Sequence, residues 1–177
     1  MRSSYAENRY DEILGALTRL YKPKRIAEIG LLDGFSLKAF ADAAPDAEIL
    51  GFDIFADHVG KHPDEAQLRE QFKAYKNVRI AYGDFYKLQH YLEGSTFDFI
   101  HVDVSNHAGV YEHAFRHYLP LLNEGGLLLL EGGTAERDQV EWMSKYGMKP
   151  IRPFLRSSSR PEYFTFDPFP GLTVVRK

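Results

Sequence analysis

Five apolar segments of this sequence run into a carboxylate, at Glu28, Asp53, Asp84, Asp103 and Glu131. That is a denser set of acids than a purely structural sheet requires. In an open α/β sheet the ligand lies beyond the carboxyl ends of the strands, where such groups can accept hydrogen bonds from hydroxyl and amino groups. The stretch Glu28-Ile29-Gly30-Leu31-Leu32-Asp33-Gly34-Phe35-Ser36 adds two glycines four residues apart. Gly30 and Gly34 let the backbone approach a ligand, and Asp33 or Ser36 can satisfy exposed amides where a helix begins. Asp53 closes the next strand, where an acid can accept from both hydroxyls of a ribose. Together they describe a pocket for a nucleoside-containing ligand. A plain structural reading stands beside each: the glycines can serve close helix packing, and Asp53 can cap a helix.

Such groups need a frame, and the hydropathy pattern supplies one. Ile13, Leu14, Leu17 and Leu20 predict a helix over Tyr5 to Leu20, ended by Pro23 before a first strand from Arg25 to Gly30. Phe35 to Ala44 reads as a helix stopped before Pro45, and Glu48 to Asp53 as a second strand, completing a βαβ unit. Pro63 to Tyr75 is a charged helix with Pro63 in its first turn, Val78 to Ala81 a third strand leading into Gly83 and Asp84, and Phe85 to Leu92 a helix. Phe97 to Asp103 is a fourth strand, and Gly109 to Leu122 a helix with Val110, Ala114, Tyr118 and Leu121 on one face. Gly125-Gly126 makes a turn into Leu127 to Leu130, four leucines that fit a strand covered on both faces. Ala135 to Tyr146 reads as a helix closed by Gly147. Lys149 to Leu155 and Leu172 to Arg176 read as strands, and Tyr163 to Phe166 can extend either of them. Alternation of helix and strand predicts an α/β fold in one domain, residues 1–177, with an N-terminal helix within 1–22. The segment 156–171 is an active-site or interface loop.

Composition narrows the partners. The chain has 177 residues, 44% hydrophobic and 14% aromatic, enough for one good core. Its 22 basic and 25 acidic residues leave a net charge of -3, which gives no footprint for sequence-independent nucleic-acid binding. Cysteine is absent, so neither a disulfide framework nor a Cys-ligated zinc can form. The polar N-terminus lacks an apolar signal core and no apolar run is long enough to span a membrane, so a cytoplasmic protein without a membrane partner is expected.

Over nearly its whole length the chain resembles the class I S-adenosylmethionine (SAM)-dependent methyltransferases. The resemblance is carried by Glu28, Gly30 and Gly34 as an E/D-x-G-x-x-x-G strand end, by Asp53, by Gly83-Asp84, and by the segment Leu119-Pro120-Leu121-Leu122-Asn123-Glu124-Gly125-Gly126. It implies a Rossmann-like, doubly wound, mainly parallel seven-stranded sheet with helices on both faces and an antiparallel C-terminal strand. It implies further that Gly30 and Gly34 pack against the methionine part of SAM, that Asp53 holds the ribose, and that Ile54, Asp84 and Phe85 frame the adenine. Asp103, His107 and Tyr111 resemble residues of small-molecule O-methyltransferase relatives.

For methyl transfer to oxygen in a small-molecule acceptor, yielding S-adenosylhomocysteine, His107 is the candidate general base. An ordinary imidazole pKa of about 6.5 suits that task. Asp103 can orient the imidazole or contact the SAM amino group. A helix-capping histidine is the plain alternative for His107. Metal-dependent relatives place an Asp after strand four and an Asp-Asn pair after strand five, where this chain reads Glu131-Gly132-Gly133-Thr134. Asp103 and Glu131 could hold a hydrated divalent ion, but without the pair no metal site is expected. His113 with His117, and His58 with His62, have i, i+4 metal-ligand spacing but no third ligand in reach, so a solvated surface is the reading taken. Arg156, Arg160, Tyr163, Phe164, Phe166 and Phe169 could clamp an anionic or planar substrate, pack on the sheet, or meet a second copy in a homodimer. His58, Lys61 and His62 form a second candidate rim. Two rivals stand: a non-catalytic SAM-binding or scaffold protein of the same fold, and an NAD-dependent oxidoreductase. The spacing Gly30-x-x-x-Gly34 argues against the second, which wants G-x-G-x-x-G.

Overall fold

The computed structural model describes residues 1, 3–55, 62–157, 161–167 and 169–177. His58, Lys61 and Arg160 lie outside the described residues. The chain divides into two compact units, Met1–Glu93 and Gly94–Lys177.

In the first unit, α1 spans Tyr10–Tyr21, β1 Arg25–Ile29, α2 Phe35–Ala43, β2 Glu48–Asp53, α3 Glu65–Gln71, β3 Val78–Tyr82 and α4 Leu88–Tyr91. The strands lie in the order β3-β2-β1, all parallel, with Ile29 level with Phe52 and Asp53 level with Tyr82. The carboxyl ends of the three strands therefore share one edge. Ile26, Ile29, Leu37, Phe40 and Ile49 form a core with 1% exposure or less. α1 is shorter than expected. Arg9 has a left-handed φ of 53°, so residues before Tyr10 turn rather than coil, while Tyr5 packs its ring against Tyr10 at 5.1 Å. Pro63 falls outside α3, which starts after Asp64; the Asp64 carboxylate accepts from the Gln67 amide at 3.0 Å.

In the second unit, β4 spans Phe97–Val102, α5 Ala108–His117, β5 Leu122–Glu131, α6 Glu141–Lys145, α7 Ile151–Leu155, β6 Tyr163–Phe166 and β7 Leu172–Arg176. The order is β4-β5-β7-β6. β4 and β5 are parallel, and β7 runs antiparallel to both β5 and β6. Leu127 to Leu130 are all within 1% of full burial, as four successive leucines in a covered strand should be. Gly125-Gly126 lies inside β5 rather than before it. It forms an irregularity where Phe97 pairs with Leu122 but Phe99 with Leu127, and Gly125 takes a φ of 74°.

Two expectations are corrected here. Lys149 to Leu155 is not a strand, because Pro150 and Pro153 remove ladder donors, whereas both are tolerated at a helix start. The Asp138 carboxylate then accepts from the Ile151 and Arg152 amides at 2.6 and 2.9 Å, starting α7. The seventh strand is instead Tyr163–Phe166, so two C-terminal strands meet in antiparallel pairing. The helix expected over Ala135 to Tyr146 is broken into a 3-10 turn, Arg137–Gln139, and the short α6, although Gly147 does adopt the left-handed φ of 61° expected after a helix end.

Candidate functional site

The first unit laces its strand ends together with main-chain donors. Gly30 N–H donates to the Phe52 carbonyl at 2.8 Å, and Gly83 N–H to the Asp53 carbonyl at 2.9 Å. The Asp53 carboxylate, 9% exposed, accepts from the Leu31 amide through Oδ2 and the Phe55 amide through Oδ1, both at 2.8 Å. Each oxygen has a second lone pair, so the group is held rigid while keeping the capacity to accept from a ligand. Leu32 and Phe55 flank it with left-handed φ values of 45° and 49°. Such backbone costs about 1–2 kcal/mol per residue without glycine, and it persists where surroundings dictate it.

The glycines divide in role. Gly30, at φ 89°, makes the turn out of β1. Gly34, at φ 77°, is the residue before α2, and a Cβ there would lie 2.5 Å from Cε2 of Phe72. Its missing side chain is therefore used by packing against the segment after α3. A Cβ on Gly83 would similarly come within 2.9 Å of the Phe52 Cβ. Ser36 does not satisfy the amides at the start of α2; its hydroxyl donates to Oε1 of the fully buried Glu28, and Gly34 provides no side-chain cap. Asp84 accepts from the Tyr86 amide at 3.0 Å and pairs with Lys87 at 3.1 Å, opening the turn into α4, with Phe85 buried beside it and Ile54 half-buried.

The second unit works through side chains. Asp103 follows β4 and is half-buried. His107 caps α5: its Nδ1 accepts from the Gly109 amide at 3.1 Å. A neutral ring accepting at Nδ1 carries its proton on Nε2, which is therefore a donor. Burial first, and the charge of Arg137 second, hold its pKa below the ordinary histidine value. Thus the imidazole stays neutral at pH 7, with its one lone pair already engaged, which is poor provision for a base. Tyr111 is fully buried and donates to the Glu131 carbonyl at 3.1 Å; burial pushes its pKa far up, so it acts as a strut.

Glu131 forms a two-pronged ion pair with Arg137, Nε to Oε1 at 2.9 Å and Nη2 to Oε2 at 3.1 Å, with the side chains 5% and 6% exposed. Asn106 Nδ2 donates to the same Oε2 at 3.3 Å. The carboxylate considered as a cation ligand is thereby neutralised by a guanidinium. Arg137 also lies over the Trp142 ring at 4.9 Å. The His113 and His117 rings meet at a 40° tilt with centroids 4.4 Å apart. Beyond β5, a cavity of about 520 Å³ is lined by Thr134, Arg152, Arg156, Tyr163, Phe164 and Phe169, among others.

Residues 27–131, more than half of the chain, match a family described as a methyltransferase domain. The chain belongs to that family. The methyltransferase is similar to an S-adenosylhomocysteine-bound methyltransferase from Podospora anserina, with 26% identity, a TM-score of 0.72, and coverage of 99% of this chain and 79% of that one. The O-methyltransferase TomG from Streptomyces achromogenes, in complex with SAM, is 20% identical, with a TM-score of 0.67 and coverage of 94% and 78%. An O-methyltransferase from Bacillus cereus in complex with S-adenosylhomocysteine is 17% identical, with a TM-score of 0.69 and coverage of 94% and 80%. These likenesses show the Rossmann-like fold shared with those methyltransferases. Among the described residues, no helix is long and apolar enough to cross a membrane.

Arg137, Asn106 and Arg152 were not legible as site residues. Arg137 lies six residues from Glu131 and Asn106 twenty-five, neither a helical nor a strand spacing. Arg152 and Arg156 do have i, i+4 spacing, but that signal is invisible while the segment is read as a strand.

Proposed function

We propose that this methyltransferase, acting as a single domain, moves the SAM methyl group to an oxygen of a small-molecule acceptor. The observation that carries this reading is the Asp53 carboxylate, fixed by the Leu31 and Phe55 amides at the end of β2 while retaining lone pairs for two hydroxyls. In this reading Asp53 holds the SAM ribose, the Gly30 turn with Glu28, Gly34 and Ser36 shapes the methionine side, and Ile54, Gly83, Asp84 and Phe85 frame the adenine. Asp103 meets the SAM amino group. SAM supplies the electrophilic methyl; the acceptor oxygen gains it, S-adenosylhomocysteine leaves, and the acceptor proton goes to solvent or a carboxylate. His107 positions the acceptor as an Nε2–H donor rather than taking its proton, a revision that follows from its cap on α5. Positioning the oxygen in line with the methyl then supplies most of the rate. A small-molecule acceptor is in keeping with an enzyme that works in the cytoplasm.

Calorimetric titration with SAM, S-adenosylhomocysteine and NAD tests the cofactor side, with binding of the first two expected and tight NAD binding ruling it out. A screen of acceptors with methyl-labelled SAM tests the oxygen assignment. Transfer only to nitrogen or carbon acceptors would overturn it, and SAM binding without transfer to any acceptor would favour a scaffold.

A further inference from the structure

The cavity beyond β5 lies wholly within the second unit and carries a specific charge arrangement. Arg152 and Arg156 are four residues apart, Arg152 within α7 and Arg156 at its end, so they share a face. Glu136 and Asp167 also reach the cavity. None of the four makes a side-chain hydrogen bond or ion pair with another described residue. Their surroundings differ: both carboxylates and Arg156 are exposed, whereas Arg152 is half-buried. Exposed charges are screened by water and salt, while a half-buried guanidinium is partly desolvated. An anion is the ligand that offsets that desolvation, and a guanidinium fork matches a carboxylate in geometry.

The rest of the wall is aromatic. Tyr163 on β6, 37% exposed, shares a strand face with Thr165, whose side chain lies beside Gly133 of the cavity wall, and offers a ring face for a planar group. The two Asp138 bonds to the Ile151 and Arg152 amides set where α7 begins and hence where Arg152 stands. We propose that this cavity takes the methyl acceptor as an aromatic carboxylate, with the carboxylate on Arg152 and Arg156 and the ring against Tyr163. The inference rests on the reading above that the acceptor is a small molecule.

The test compares 4-hydroxybenzoate, phenol and 4-hydroxybenzylamine by calorimetry on enzyme saturated with S-adenosylhomocysteine. The anion is expected to bind about tenfold tighter than phenol, the size of one charge-assisted hydrogen bond. Arg152→Gln should remove most of that preference and leave phenol unaffected. Should Arg152→Gln lower the melting temperature, the exposed Arg156→Gln, expected to reduce the preference by a few fold, serves instead. Equal binding of phenol and 4-hydroxybenzoate, tighter binding of the amine through Glu136 and Asp167, or no binding of any probe overturns the proposal. Methyl transfer measured in parallel separates the two readings. Methylated phenol without anion preference removes the carboxylate site but leaves the reaction, and anion binding without transfer to oxygen does the reverse.

Discussion

The ends of β1, β2 and β3 in the first unit are tied by amides: Gly30 to Phe52, Leu31 and Phe55 to Asp53, Gly83 to Asp53 again, every donor a backbone N–H. The ends of β4 and β5 in the second unit are tied by side chains, with Asn106 and Arg137 converging on Glu131 and Tyr111 reaching its carbonyl. A main-chain cradle constrains side chains at few positions, chiefly an acid and glycines at fixed offsets. A side-chain network depends on every member, because each is buried and each loss strands a partner. In the proposed function the first arrangement serves the cofactor and the second, with its cavity, the acceptor.

The largest expected effect falls on the network. Arg137→Met leaves the Glu131 carboxylate buried without its cation, and breaking such a pair costs about 3–5 kcal/mol. Chemical denaturation should show it, with the paired change Glu131→Gln and Arg137→Met recovering a substantial part. A loss below about 1 kcal/mol would mean that the network is not what holds the ends of β4 and β5.

In the cradle, Gly34→Ala should cost roughly 2–4 kcal/mol, since it adds a left-handed backbone penalty to a 2.5 Å approach to Phe72. The unfolding midpoint reads this directly. If SAM affinity collapsed while stability held, the glycine would serve the ligand instead of helix packing. Asp53→Ala is expected to weaken SAM by about 10- to 100-fold, the worth of one to two hydrogen bonds to a charged acceptor. Unchanged affinity would place the ribose elsewhere.

The contrast also explains what could be read from sequence. β2, the two glycines and Asp53 were visible because their spacing is local and their chemistry is carried by residue type. The helix at Ile151–Leu155 was not, because its formation depends on Asp138, thirteen residues upstream, capping two amides. Without that cap the apolar run reads as a strand. His107 was visible as a titratable group beside a strand end, but its role turns on which nitrogen meets the Gly109 amide, and no pattern of residues encodes that.

His107→Asn gives the smallest effect and divides cap from catalyst most cleanly. Asparagine is among the best N-cap residues, so α5 should keep its start and stability near neutral pH should change little. Because folding lowers the His107 pKa, the unfolded chain takes up the proton first. The histidine's contribution to stability is therefore fully present above pH about 6.5 and is lost as pH falls from there through the lower folded value. The variant should lack that part of the acid slope, a difference visible in unfolding midpoints measured between pH 7 and pH 5. Its turnover should fall less than about tenfold, short of the ~10²-fold that loss of a general base brings. A larger drop, with the pH–rate profile losing its acid limb, would return the proton to His107 and make the second unit a catalytic network as well as a structural one.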